Sequence, residues 1–543
     1  MFFHLTRQGD APFSVVIEPG CRDHFRFDIG PDERVEVLGD PVFRDRPSFP
    51  RSVLGLTGRV DGAKLFDLVP GHYYWFHWRG DALECGSSFC GILPILYRYV
   101  PGRMDICSSS FRIARELGLP ADDRGYLLER TLFNYPLFDS TPWKTINRLP
   151  AHSKLTAGDV ALKAERFFSI EEHFGNGNGS SARDMDTLCD AFERECDLLI
   201  PAKSFALSFT GGFDGRTLLG AALKLGRSAF STYGFGLPGE SDIALPEKQA
   251  HELGVPYSPI LLDDRYVRED ALASALAFME LSDHAGNLGR PHYHYAARLL
   301  ARDHTHLVSG NFGSELFRAL HAPGALMTEH LIAVFGSADS AWREAIVHAA
   351  GKDFNTEVPE LIADIEAHLA SAASLSPSQR FYRFVFDELF RKYFGPEIVV
   401  QGEFLRNRTP FLSLRFVQAL HRTAWAGVHS RLFETDKIRR VKGQVFYAEY
   451  LRRAHPRLYR MPTNKGYAPP DVVEGWRLPL LLAKFAWKRF ARSEVVDSNS
   501  IDAFFGLRQH AILTHYGLAS EGPEGIQALS NRAAWAAATA IRR

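Results

Sequence analysis

Six cysteines are spread over 543 residues, at Cys21, Cys85, Cys90, Cys107, Cys189 and Cys196. None forms a C-x-x-C pair and no Cys/His cluster has zinc-ligand spacing, which removes a disulfide framework and a structural zinc from consideration. Reduced thiols imply a cytoplasmic setting. No run approaches the ~18 apolar residues of a membrane span, and the start, MFFHLTRQGD, lacks a charged segment followed by an apolar one. Residues 478–491 are broken by Lys484 and Lys488 and fit an amphipathic helix. Excess charge is missing too. With 63 basic and 64 acidic residues there is no broad field for nucleic acid or an anionic membrane. Local basic groups (Arg439, Arg440, Lys442; Arg452, Arg453) fit solvated helix faces. A Walker A pattern is also absent.

What remains is an ordinary globular composition, 45% hydrophobic and 23% charged. Its length suggests roughly three or four units at ~150 residues each. Residues 175–181, GNGNGSS, fit a flexible linker. They divide an N-terminal domain, 1–174, from a larger one, 183–543. The first reads as α+β on antiparallel sheet: strands at 72–77, 95–100 and 104–107, then a helix at 111–117. The second reads as α/β. A helix at 185–200 puts Leu188, Phe192, Cys196 and Leu199 on one face. Strands at 205–209, 229–235 and 257–262 alternate with helices, which argues for a parallel sheet, and helix dominates from about Ala325. His292-Tyr293-His294 alternates as a strand would. With no third ligand in view it reads as structural.

The most informative segment is 207–216, LSFTGGFDGR. Gly211 and Gly212, between a strand and a helix, let backbone N–H groups approach an anion, and the helix points its positive end at the same place. A plain Gly-Gly turn would have the same form. Asp214 beside a phosphate requires a bridging divalent cation, a role that suits Mg²⁺.

This segment resembles the pyrophosphate-binding S-G-G-x-D-S loop of the asparagine synthetase family. The likeness continues in order through Gly236–Asp242, through Ser309-Gly310-Asn311-Phe312-Gly313-Ser314-Glu315-Leu316-Phe317, through Arg408-Thr409-Pro410-Phe411-Leu412-Ser413, and through Lys442 with Pro462–Tyr467. Earlier, Gly71–Trp78, Gly91 with Pro94–Tyr97, Ser108-Ser109 and Ile146–Pro150 resemble that family's glutaminase-type (Ntn) sheet. The resemblance implies an antiparallel glutaminase-like domain followed by a PP-loop ATP pyrophosphatase domain with a helical C-terminal part. It implies an ATP site on Leu207, Ser208, Thr210, Gly211, Gly212, Asp214, Gly215, Arg216, Phe235, Ser309 and Gly310. Mg²⁺ would sit on Asp214 and Asp242, and catalysis would fall to Lys465, Asp214 and Glu315.

The sequence also departs from the family. Phe2 stands where the glutaminase nucleophile would be Cys, so glutamine hydrolysis is not expected. That points toward relatives resembling β-lactam synthetases and lasso-peptide cyclases, which take the amine from substrate. Gly215 replaces a serine, leaving Arg216 or Thr217 to reach phosphate, while Asn311, Ser314 and Ser413 stand at acid positions. Arg318 and His321 are weaker substrate-contact candidates. The expected activity is AMP-forming amide ligation on small-molecule or peptide carboxylate and amine substrates, with neither nucleic acid nor membrane as a partner. The competing reading is a degraded relative that binds nucleotide or a partner without catalysis. A homo-oligomer stays open.

Overall fold

Gly71–Arg79 is buried along both faces, and its side chains divide with period two. Tyr74, Phe76 and Trp78 enter one core while Tyr73 and Trp75 enter another. A strand of this kind has to lie inside a layered structure, and it does. In the computed structural model, which describes all residues except 159–160, 319, 321–322, 337–339, 437–438, 440, 478, 480–500, 521–524 and 542–543, it belongs to a six-stranded antiparallel sheet. The order is Leu162–Arg166, Ser153–Ala157, Ala82–Ser87, Gly71–Arg79, Glu33–Pro41, Asp23–Gly30. A five-stranded antiparallel sheet faces it, ordered Ser14–Glu18, Phe2–Gln8, Arg103–Cys107, Leu96–Val100, Asn147–Arg148. Phe3, Leu5, Met104 and Ile106 from this sheet close the shared core. The helix Ser110–Leu117 covers the far side through Phe111 and Ile113.

The second half is built on five parallel strands, ordered Tyr257–Leu261, Ala229–Gly236, Lys203–Ser208, His306–Val308, Arg406–Arg408. The α/β class with antiparallel and parallel sheets is therefore as expected. The helix Ala182–Leu199 buries Leu188, Phe192, Cys196 and Leu199 on one face. It starts earlier than its apolar pattern because Ser181 and Asp184 form a reciprocal capping box.

Two expectations need correction. Residues 175–181 do not behave as a free tether. Gly179 bridges to Thr423, and side chains at Gly175 or Gly177 would strike the His421 carbonyl at 2.7 Å and the His429 ring at 2.5 Å. The glycines permit close packing against the second half. His292-Tyr293-His294 is not a strand; it lies in the helix Pro291–Leu300, where Pro291 occupies the first turn. His292 is buried against Phe235, and burial pushes its pKa down to about 3.

The two halves share one interior. A single apolar cluster runs from Val35 and Trp75 through Leu207 and Phe411 to Tyr467. Polar groups also cross: Arg391, fully buried, donates to the carbonyls of Leu149 at 2.9 Å and Phe138 at 2.7 Å, and Asp387 pairs with His152 Nδ1 at 2.9 Å. Asp387, Glu388, Arg391 and Lys392 all turn inward from the π-helical segment Val385–Phe394. Residues 478–491 fall, but for one position, outside the described residues.

Candidate functional site

The chain places strands Ala229–Gly236 and Tyr257–Leu261 on one side of Lys203–Ser208, then crosses to add His306–Val308 on the other. In open parallel sheets such a reversal leaves a crevice at the carboxyl ends of the strands. Here the 209–213 turn and the helix Asp214–Lys224 leave one strand at that point, and the 309–313 turn and the helix Gly313–Phe317 leave its neighbour.

Asp214 joins the two exits. Its Oδ2 accepts from Ser314 Oγ and its Oδ1 from Tyr447 OH, both at 2.6 Å. The fit depends on glycine: a Cβ at Gly310 would lie 2.7 Å from Asp214 Cβ, and one at Gly313 would lie 2.6 Å from Oδ1. Burial, then the neighbouring Asp214 carboxylate, holds the Tyr447 phenol well above its ordinary pKa, so it stays a donor. Ser314 thus serves as a hydroxyl donor to Asp214.

The segment 461–470 closes the opposite wall. Asn464 N donates to Gly211 O at 3.0 Å, and Asn464 Nδ2 donates to Asp242 Oδ1 at 2.8 Å. Gly211 leaves no space for a side chain, since its Cβ would sit 2.4 Å from Asn464 Cβ. Tyr467 OH fastens the far end to Gln444 Oε1 at 2.7 Å. Lys465 is thereby carried to the rim of a cavity of about 260 Å³. Thr210, Gly212, Asp214, Phe235 and Asp242 line the same cavity. Phe213, at the N-cap of the following helix, supplies no side-chain acceptor, so the helix's first N–H groups stay available at this wall.

Other expected residues lie behind the wall. Leu207 is core, Ser309 is buried, and Gly310 packs against Asp214. Ser208 lies at the strand end, half-buried. Gly215 is required by packing: a Cβ there would be 2.2 Å from Ser208 O. Arg216 does not face the cavity. Fully buried, it donates to the carbonyls of Met461 at 3.2 Å and Pro462 at 2.8 Å and to Gln249 Oε1 at 2.8 Å. Burial lowers its pKa to about 10. Its work is to anchor the segment bearing Lys465. Thr217 is buried as well and does not reach the cavity.

Glu315 flanks the cavity without lining it. Desolvation pushes its carboxyl up to about 7 against the opposing pull of Arg318. Asn311 donates to Glu397 Oε2 at 3.5 Å, and Glu397 also pairs with Arg290. Ser413 is remote from the cavity; its hydroxyl donates to Glu195 Oε2 at 2.5 Å. His321 lies outside the described residues. The sequence reading missed Tyr447, Gln444 and Asn464 as cavity residues, and only an Asn-Lys-Gly turn in 464–466 hinted at the last.

Among the described residues no group of three His, Cys, Asp or Glu side chains is arranged to hold a metal. Two carboxylates on one cavity still match Mg²⁺, which commonly takes one or two carboxylates and completes its shell with water and phosphate. No protein-family model and no curated protein matches the chain. Among solved structures it is similar to a glutamine phosphoribosylpyrophosphate (PRPP) amidotransferase from B. subtilis complexed with ADP and GMP. That match has 11% identity and a TM-score of 0.17, covering 65% of this chain and 83% of the other, and so slight a likeness carries no argument.

Proposed function

We propose that the chain is an ATP-dependent, AMP-forming amide ligase that adenylates a substrate carboxylate and joins it to an amine other than glutamine-derived ammonia. One observation carries this reading: the Gly211-Gly212 turn, the uncapped first turn of the next helix, Asp214, Asp242 and Lys465 converge on one cavity at the sheet's crossover. Backbone N–H groups of 210–216 would take the β- and γ-phosphates. Asp214 and Asp242 would hold Mg²⁺, which supplies charge neutralisation between those phosphates. A substrate carboxylate oxygen bonds to the α-phosphorus as the bond to pyrophosphate breaks. The amine nitrogen then bonds to the acyl carbon, AMP leaves, and the amine proton passes to solvent or phosphate. Lys465, on the same cavity, would bring an ammonium to the charge growing on the α-phosphate oxygens. A tethered amine gains from high effective molarity, so a strong base is not essential.

The test is ATP–pyrophosphate exchange over a panel of carboxylates with Mg²⁺, in the parent and in Asp214→Ala. Exchange that the substitution abolishes supports the ligase; ADP formation rejects it. A second reading, nucleotide binding without turnover, is favoured by the two hydroxyl donors already occupying both oxygens of Asp214. ATP binding with no exchange across the panel would support that reading.

A further inference from the structure

A second cavity, of about 300 Å³, adjoins the first. Arg318 lines both, and the neighbouring residues Gly443 and Gln444 contribute one to each. Among the described residues its wall is strongly cationic: Arg318, Arg431, Arg439 and Lys442 face it with one carboxylate, Glu434. Glu434 is engaged by Arg439 at 3.6 Å and by the Asp436 N–H at 2.9 Å. His429 donates through Nε2 to the His421 carbonyl at 2.6 Å. Arg318 gives Nε to the Ser314 carbonyl at 3.3 Å, which leaves its terminal nitrogens for the cavity. Among the described residues, Arg318, Arg431 and Lys442 have no carboxylate within ion-pair distance. Desolvation lowers the pKa of Lys442. In the sequence, Arg439 and Lys442 read as a solvated face; both are exposed, as is Arg431, and the fold gathers them at the mouth of this open cavity.

Cations gathered on one cavity with, among the described residues, no carboxylate within ion-pair distance of three of them favour an anion, because like charges held together are stabilised by a ligand of opposite sign. We infer that this cavity seats a second anionic group, carboxylate or phosphate, of the same substrate whose reacting carboxylate enters the first cavity, with Arg318 between the two. The inference rests on the ligase reading for the identity of the first group only. It narrows the substrate class to dianions and excludes neutral-tailed monocarboxylates.

Calorimetric titration of the full chain at low ionic strength with glutarate, phosphonoacetate and butyrate tests it. The two dianions should bind at least about tenfold more tightly than butyrate, the scale of two solvent-accessible charge contacts. Lys442→Gln combined with Arg431→Gln should remove that preference without affecting butyrate, and Lys442→Arg should retain it. Glutarate ahead of phosphonoacetate assigns a carboxylate, and the reverse order a phosphate. Dianions binding no better than butyrate, or a double variant that titrates like the parent, overturns the proposal. A parallel ATP titration separates the two readings. Dianion preference without ATP binding refutes the ligase and keeps the anion site; ATP binding without dianion preference does the reverse.

Discussion

Gly211→Ala tests whether the Gly-Gly turn and the segment 461–470 form one mechanical unit. The backbone of Gly211 lies outside the left-handed region, so alanine brings no dihedral strain. The added Cβ would lie 2.4 Å from Asn464 Cβ, 2.8 Å from its Cγ and 3.0 Å from Asp242 Oδ1. Asn464 Cβ is fixed by the backbone, so the first and tightest contact cannot be relieved by rotating a side chain. Overpacking of this kind costs about 1–3 kcal/mol. The cheapest relief is to lift 461–470 away, which breaks Asn464 N to Gly211 O at 3.0 Å and Asn464 Nδ2 to Asp242 at 2.8 Å. Hydrogen exchange reads this directly. Opening at the Asn464 amide should rise by about 5- to 150-fold, the equivalent of that energy. Exchange elsewhere in the parallel sheet should hardly change. Asn464→Gly removes the atoms that the added methyl group would strike, so in the double variant the penalty should shrink by about 1 kcal/mol or more relative to the sum of the singles. Unchanged protection at Asn464 in Gly211→Ala, or strict additivity in the cycle, would refute the packing argument.

Lys465→Ala should cut the adenylation rate by ~10²–10³-fold with little change in ATP affinity, because its contact strengthens in the transition state; near-normal pyrophosphate release removes Lys465 from the mechanism. Glu315 has its folded pKa raised from 4.5 to about 7 by burial, so the folded chain binds the extra proton across that window and stability falls as pH rises through it. Glu315→Gln should therefore gain thermal stability relative to the parent above pH ~7 and lose that advantage below pH ~4.5, as followed by melting curves; equal slopes in both proteins reject the assignment. Incubation with glutamine should yield no glutamate above background, with or without ATP. The first strand carries Phe2, a side chain with no nucleophilic atom, packed beneath Arg112 at 5.3 Å. Glutamate release at an amidotransferase rate would contradict this.

The sequence alone determined the element types wherever one local cause dominated. The aromatic-rich run 72–77 specifies a strand, the apolar face of 185–200 specifies a helix, and alternating strands and helices after residue 203 specify a parallel sheet. The Gly-Gly turn and Asp214 were also legible, because a strand–glycine–helix junction has few physical uses. Tertiary structure decided what those residues face. Arg216 follows the loop directly, yet its helix turns it inward onto the Met461 and Pro462 carbonyls, since side chains one and two positions apart on a helix point to different sides. Tyr447 reaches Asp214 across 233 residues, a pairing with no local signature. The histidines at 292 and 294 alternate as a strand would, but Pro291 and packing against Phe235 made the segment a helix. The glycines of 175–181 read as flexible, yet the absence of side chains there is what lets a neighbouring backbone and ring approach within 3 Å of where a Cβ would stand. Composition records that a residue is small, charged or apolar; only the folded chain sets which neighbour makes that property count.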